Sequence, residues 1–202
     1  MKPSVLLRTG FALFAVSASV SVASATGLLG QRYSSLSYEH VFTQSDRWDD
    51  GDGFELQYNQ PFAEKADLGL TIQHQKIKAG RDDVLDVTRT RVMAYGVGFG
   101  VLDLDIPFAR FDVGWGEEKT DAVSESGLAW AFTVGAQWEP SKTIAVTPYL
   151  SWTANSNHDV ETTFEYGVIT HFDVADQFGV LVKLEGDRHA NITFGIGGAA
   201  RF

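Results

Sequence analysis

The stretch from residue 189 to residue 202 alternates throughout between two kinds of side chain. One set is apolar or very small: Ala190, Ile192, Phe194, Ile196, Gly198, Ala200 and Phe202. The other set is polar or very small: Asn191, Thr193, Gly195, Gly197, Ala199 and Arg201. Because successive side chains of a strand point to opposite sides, this stretch predicts a strand with one apolar face. A barrel that crosses a membrane requires such a division between its two faces.

The same alternation recurs from about residue 30 onward, in roughly ten segments of about ten residues separated by turn chemistry. The segment ends repeat at intervals of about 30 to 39 residues, as expected of consecutive hairpins. The sequence therefore predicts an all-β, antiparallel, up-and-down transmembrane barrel of ten strands. Eight strands is the alternative, if the first segment or the region 143–152 is irregular. Pro148 would remove a ladder hydrogen bond there, so we expect a bulge or a different assignment.

Aromatic residues eight positions apart mark both ends of alternate segments. Eight residues of a tilted strand span roughly 20 Å along the membrane normal, close to the height of the lipid-facing band. We interpret them as two aromatic girdles formed by Phe54 and Phe62, Trp130 and Trp138, Phe164 and Phe172, and Phe194 and Phe202.

The first 25 residues have the pattern of a cleaved secretory signal. Lys2 and Arg8 precede a short apolar run, and small residues continue to Ala25. The run is short and interrupted by serines, which argues against a membrane anchor. We therefore expect a signal peptide over 1–25 and a barrel over 26–202. Removing two basic residues would change the net charge from −10 to −12, and so acidic a chain is not expected to bind nucleic acid.

Taken together, the signal peptide, the hairpin repeat and the final Phe202 resemble small bacterial outer-membrane β-barrel proteins, namely the opacity-type and OmpA- or OmpX-like barrels. The resemblance implies an outer-membrane location, contact with outer-membrane lipid, and recognition of the last strand by the barrel-assembly machinery. Such barrels have short periplasmic turns and longer extracellular loops. That orientation predicts five outer loops, at about 43–53, 78–87, 117–127, 155–160 and 186–188.

A soluble secreted barrel with the apolar faces turned inward is the competing architecture, because periodicity alone does not distinguish inside from outside. The outer face of a soluble barrel carries dense charge. The face opposite the aromatics instead holds many Gly, Ala, Thr and Gln residues, which suit a narrow interior. The sequence therefore favours the membrane barrel.

A few charged residues fall on the face predicted to line the lumen, at similar heights. Buried charges must pair, so we expect Arg110 and Lys183 to bridge carboxylates across the bore. One interpretation is a polar network that plugs the barrel, and the other is an acidic constriction in a cation-preferring pore. The network comprises Glu55, Arg110, Asp112, Glu165, Lys183 and Glu185.

The predicted outer loops are acidic, and their role is open. Residues 49–53 faintly resemble a calcium loop but lack its full ligand pattern, so no metal site is predicted. Ser156, His158 and Asp159 are neighbours in one loop, with His40 on the first segment, yet adjacent residues seldom converge as a catalytic triad. We expect no enzymatic activity and no cofactor. The prediction is a structural or surface-interaction protein with an unknown extracellular ligand. The alternatives are a narrow cation-preferring channel and, as the least favoured, an outer-membrane lipid hydrolase.

Overall fold

The computed structural model describes residues 28–44, 49–79, 83–97, 106–120, 124–156 and 163–202. The predicted signal peptide lies outside these residues. The described chain forms β1 (Tyr33–Phe42), β2 (Gly51–Ala63), β3 (Ala66–Ala79), β4 (Asp83–Val97), β5 (Ile106–Lys119), β6 (Ser124–Ser141), β7 (Ile144–Asn155), β8 (Thr163–Ala175), β9 (Phe178–Asp187) and β10 (Ile192–Arg201).

Each strand pairs antiparallel with its neighbours in the chain, and β1 closes the ring on β10. The closing register runs from Tyr33 opposite Arg201 to Phe42 opposite Ile192. The prediction of a ten-stranded up-and-down barrel is confirmed, and the eight-stranded alternative is wrong. We call the end where β1 begins and β10 finishes the terminal end, and the other the distal end.

The outer surface is a belt of large apolar side chains that face away from the barrel. Phe62 is 64% exposed and Trp138 is 56% exposed. A soluble protein rarely exposes apolar patches of this extent, whereas hydrocarbon solvates them. The barrel is therefore a transmembrane one. Of the eight predicted girdle aromatics, Trp130 and Phe164 are half-buried and six are exposed: Phe54, Phe62, Trp138, Phe172, Phe194 and Phe202.

Inward aromatic rings are accommodated by glycines on the neighbouring strand. Phe108 pairs with Gly135, where an added Cβ would lie 2.7 Å from the phenyl ring. Tyr149 pairs with Gly167, where an added Cβ would lie 2.7 Å from the phenol ring. Glycine is needed at both positions because only a residue without a side chain lets the ring approach the neighbouring backbone.

Two of the predicted outer loops are wrong, since most of their residues belong to strands. β3 continues to Ala79 and β4 starts at Asp83, and likewise β5 continues to Lys119 and β6 starts at Ser124. The hairpins pair regularly into this region. Beyond the lipid-facing belt a strand no longer needs an apolar face, so its sequence resembles that of a polar loop.

Pro148 does not interrupt its strand. β7 pairs with β8 in one continuous register from Ile144 to Thr153, with Pro148 opposite Val168. The register shift between β6 and β7 falls instead between Trp138 and Ser141, beside the turn. The expected bulge at Pro148 is therefore wrong, although the strand assignment holds. The described residues contain no helix long and apolar enough to cross a membrane.

In the fourth alternating segment, at about 88–101, the sequence predicts that Met93 and Val97 lie on the outward apolar face. That prediction is wrong, because Met93 is 1% exposed and packs inside against Phe108 and Tyr149. Val92 and Ala94 face outward instead. Arg89 and Arg91 lie four and two residues before Met93, so they also face the lumen, where they line the same cavity as Glu55.

Candidate functional site

A single ammonium group organises the centre of the lumen. Lys183 Nζ on β9 lies 2.9 Å from Glu39 Oε1 on β1 and 3.6 Å from Glu185 Oε2. Glu55 Oε2 on β2 lies 3.9 Å from the same nitrogen. Three carboxylates therefore surround one cation, and the contacts link non-adjacent strands across the bore.

Glu39 is the most enclosed member of this cluster, with 0% of its surface exposed. Its Oε2 accepts hydrogen bonds from Gln73 Nε2 at 3.0 Å and from Gln75 Nε2 at 2.9 Å. A buried carboxylate is stable when a cation and hydrogen-bond donors both reach it. Glu39 has both, and it fixes β1, β3 and β9 relative to one another.

A second cluster lies on β4 and β5. Asp112 is fully buried, with Arg110 Nη2 at 3.0 Å and Arg91 Nη1 at 4.0 Å from its Oδ2. Arg89 Nη2 lies 3.9 Å from Glu118 Oε1. Here the cations outnumber the carboxylates, the reverse of the cluster around Lys183. The two clusters occupy opposite parts of the wall, because β4 and β9 are diametrically opposed in a ring of ten strands.

A cavity of about 120 Å³ runs between these clusters. That volume admits on the order of ten water molecules. Five of the six residues predicted as the luminal network line it, and the sixth, Asp112, is buried behind Arg110 and Arg91. Tyr149 and Glu185 join across the cavity by a hydrogen bond from the tyrosine hydroxyl.

Sequence reasoning missed three charged residues of this site, Glu39, Arg89 and Arg91. Glu39 lies in a serine-rich segment with weak apolar periodicity, and the two arginines lie on the strand whose phase was misassigned. The alternation itself could have located them. Leu36 and Tyr38 on the outer face of β1 place Glu39 on its inner face, and the two arginines lie on the same face of β4 as Met93.

At the terminal end, residues 28–31 fold into the mouth of the barrel. The amides of Leu28 and Leu29 lie 3.1 Å and 3.4 Å from Gln137 Oε1 on β6. The amide of Gly30 donates to Asp67 Oδ2 at 2.8 Å. Asn59 Nδ2 donates to the Gln31 carbonyl at 2.9 Å. We call residues 28–31 the strap.

Beside the strap, Arg201 forms an ion pair with Asp173, whose Oδ1 also lies 3.4 Å from Nδ1 of the buried His171. These residues tie the end of β10 to β8. The arrangement accounts for Arg201 as a local structural partner at the rim.

The residues considered for metal binding and hydrolysis are engaged in other contacts. Asp52 accepts a hydrogen bond from Tyr38 and lies 2.7 Å from His40 Nδ1, while Asp50 accepts from the Thr43 amide. Within the described ranges, no three His or acidic side chains form a metal-binding group. Ser156 Oγ accepts from the Leu128 amide at 3.0 Å. His158 and Asp159 lie outside the described residues.

No family model matches the chain, and no curated protein matches it. Among solved structures, it is similar to the translocator domain of autotransporter NalP from Neisseria meningitidis, at 10% identity and a TM-score of 0.50 over 98% of this chain and 96% of that one. It is also similar to the attachment invasion locus protein Ail of Yersinia pestis, at 14% identity and a TM-score of 0.41 over 85% of this chain and 99% of Ail. The outer membrane protein OprG from Pseudomonas aeruginosa aligns at 9% identity and a TM-score of 0.41, over 85% and 96% of the two chains. At such identities the likeness shows the fold alone, and the fold that this chain shares with the NalP translocator domain is a closed antiparallel β-barrel.

Proposed function

We propose that this protein is a bacterial outer-membrane barrel of structural or surface-interaction type, whose lumen is closed at rest. The observation that carries the proposal is the ion pair inside the barrel between the fully buried Glu39 and Lys183, whose side chain is 11% exposed, with Glu55 and Glu185 around it. Ten strands spaced about 4.8 Å apart and tilted by about 40° enclose a backbone cylinder roughly 20 Å wide. Inward side chains fill much of that width.

We further propose that the terminal end faces the periplasm and the distal end faces outward, after export by a signal peptide over 1–25. The hairpins that rise beyond the belt at the distal end support this, because such barrels extend on their extracellular side. They carry Asp86, Glu117 and Glu118, so they would present an acidic surface to an extracellular partner.

A narrow channel is the second candidate, favoured by the cavity between the charged clusters. Its selectivity would be weak. The inner wall of the central lumen carries five carboxylates, Glu39, Glu55, Asp112, Glu165 and Glu185, against four cations, Arg89, Arg91, Arg110 and Lys183. The near balance of charge does not form the strongly acidic constriction that the sequence suggested.

Planar-bilayer recording of the refolded full barrel tests the proposal. Folding is first verified by heat modifiability, since a folded barrel migrates differently before and after boiling. We expect no reproducible single-channel steps from the unmodified protein. Steps that shrink in Glu55→Gln or Glu165→Gln would overturn the closed-lumen proposal and establish the channel. Membrane fractionation of the expressing cells tests the location independently, because a soluble protein would leave the membrane pellet.

A further inference from the structure

The strap contacts side chains from opposite sides of the terminal opening of the barrel. β1 begins at Tyr33, and the strap amides that precede it reach Gln137 on β6. In the closed ring β1 and β6 are five places apart, and therefore diametrically opposed. Residues 28–31 form a tight turn, in which the Gln31 amide donates to the Leu28 carbonyl at 3.2 Å. The inward side chain of Gln137 meets this turn inside the mouth.

The strap is held by side chains that are themselves buried. Asn59, Asp67 and Gln137 are each 2% exposed or less. Asp67 Oδ2 accepts from both the Gly30 amide at 2.8 Å and Asn59 Nδ2 at 3.1 Å. Gly30 adopts a φ of 71°, in the left-handed region that favours glycine, which lets the strap turn into the mouth. Three strands, β2, β3 and β6, thus supply a receptor for a four-residue segment.

The strap also forms the floor of the luminal cavity. Leu28 and Leu29 line that cavity, and Leu29 packs against the buried cluster of Met93, Phe108 and Tyr149. Leu28, Leu29 and Phe108 thus form an apolar surface on the terminal side of Arg110. An apolar constriction of this kind resists wetting and blocks ions more effectively than a polar one of equal width.

The fastening is weak compared with the barrel. The strap is held by four side-chain hydrogen bonds, one at each of its residues, and by the packing of Leu29, whereas each strand has ladders on both sides. We propose that the strap is a gate: residues 28–31 seal the terminal mouth at rest, and their release opens a narrow aqueous path along the cavity. The inference extends the proposed function, because it assigns the closure to a segment that can leave without unfolding any strand.

The gate is tested by removing its acceptor. Gln137→Ala deletes the oxygen that binds the Leu28 and Leu29 amides, and we expect the open-state occupancy in bilayers to rise roughly tenfold. Thr133→Ala is the matched control, since Thr133 is another fully buried inward side chain of β6 and bonds Ser151 rather than the strap. If both variants are folded by heat modifiability and show equal open-state occupancy, the gate is overturned.

A thiol-accessibility measurement gives an answer even if Gln137→Ala fails to fold. The chain contains no cysteine, so Leu29→Cys provides a unique label site. We expect slow labelling of Leu29→Cys by a polar maleimide, compared with Lys65→Cys in the exposed turn between β2 and β3 at the same end of the barrel. Equally fast labelling of both would overturn the seal. Single-channel steps from the unmodified protein would overturn the closed-lumen proposal. The comparison of Gln137→Ala with Thr133→Ala and the thiol labelling test the gate.

Discussion

Replacing Lys183 by Met should destabilise the barrel more than replacing any one of its carboxylate partners. The ammonium lies within 4 Å of Glu39, Glu55 and Glu185. Lys183→Met keeps much of the aliphatic volume but leaves three carboxylates together without their shared cation. Glu39→Gln, by contrast, leaves Lys183 with two carboxylates, and the new amide keeps an oxygen for Gln73 or Gln75.

The expected magnitude follows from the burial of the pair. Removing one partner of a buried ion pair typically costs about 3–5 kcal/mol, and we expect Lys183→Met to fall in that range. Glu39→Gln should cost about 1–2 kcal/mol, as for a neutralised group that keeps hydrogen bonds. The double variant has no charge at residue 39 that needs a cation. Its loss of unfolding free energy should therefore be smaller than the sum of the two single-variant losses by at least about 1 kcal/mol.

Urea unfolding in lipid vesicles, followed by tryptophan fluorescence, measures these differences. Lys76→Met is the matched control, because Lys76 pairs with Asp86 at 3.5 Å on an exposed part of the barrel and its loss should be close to undetectable. The loss in Lys183→Met should also shrink at acidic pH, where carboxylates take up protons. Additive single losses, or equal losses in Lys183→Met and Lys76→Met, would refute the reasoning.

Three further substitutions test the walls and the end of the barrel. Gly135→Ala should destabilise by about 1–3 kcal/mol in the same unfolding assay because its Cβ would collide with an aromatic ring, whereas Gly198→Ala, with its nearest atom at 3.8 Å, should be tolerated. Leu150→Arg, midway up the outer belt, should cost about 2–4 kcal/mol in lipid, against about 0–1 kcal/mol for Phe42→Arg at the rim; equal costs would contradict the membrane position. We propose that the assembly machinery recognises β10 together with Phe202, which follows it, so Phe202→Ala should slow assembly in cells, measured by heat modifiability over time, while refolding in detergent is unchanged.

The barrel class was predictable because its cause is local. Lipid outside and a narrow bore inside impose opposite chemistry on alternate residues, so β2, β6 and β10 display their faces directly in the sequence. Turn chemistry then separates the strands well enough to count ten. The distal ends were not predictable in the same way, because strands that rise above lipid lose the apolar face that identifies them.

The error at β4 has a definite physical origin. Met93 belongs to an apolar layer inside the barrel, and Gly69 on β3 leaves room for its methyl group. At that height both faces of β4 carry apolar residues, so alternation loses its meaning. Because one residue of slip inverts every side chain of a strand, this local ambiguity also hid Arg89 and Arg91. Only the partners supplied by other strands resolve the phase.

The filled lumen and the strap differ in what they imply. A barrel of ten strands has a bore of roughly 20 Å between backbones, so inward side chains must meet, and charged ones must pair. A luminal network is therefore a geometric consequence of strand number. No such necessity applies to the strap. At an open mouth, water would satisfy the hydrogen bonds of the two carboxamides and the carboxylate that hold it. Asn59, Asp67 and Gln137 are instead buried against residues 28–31. That specific enclosure, more than the charges above it, is the feature that points to a controlled opening.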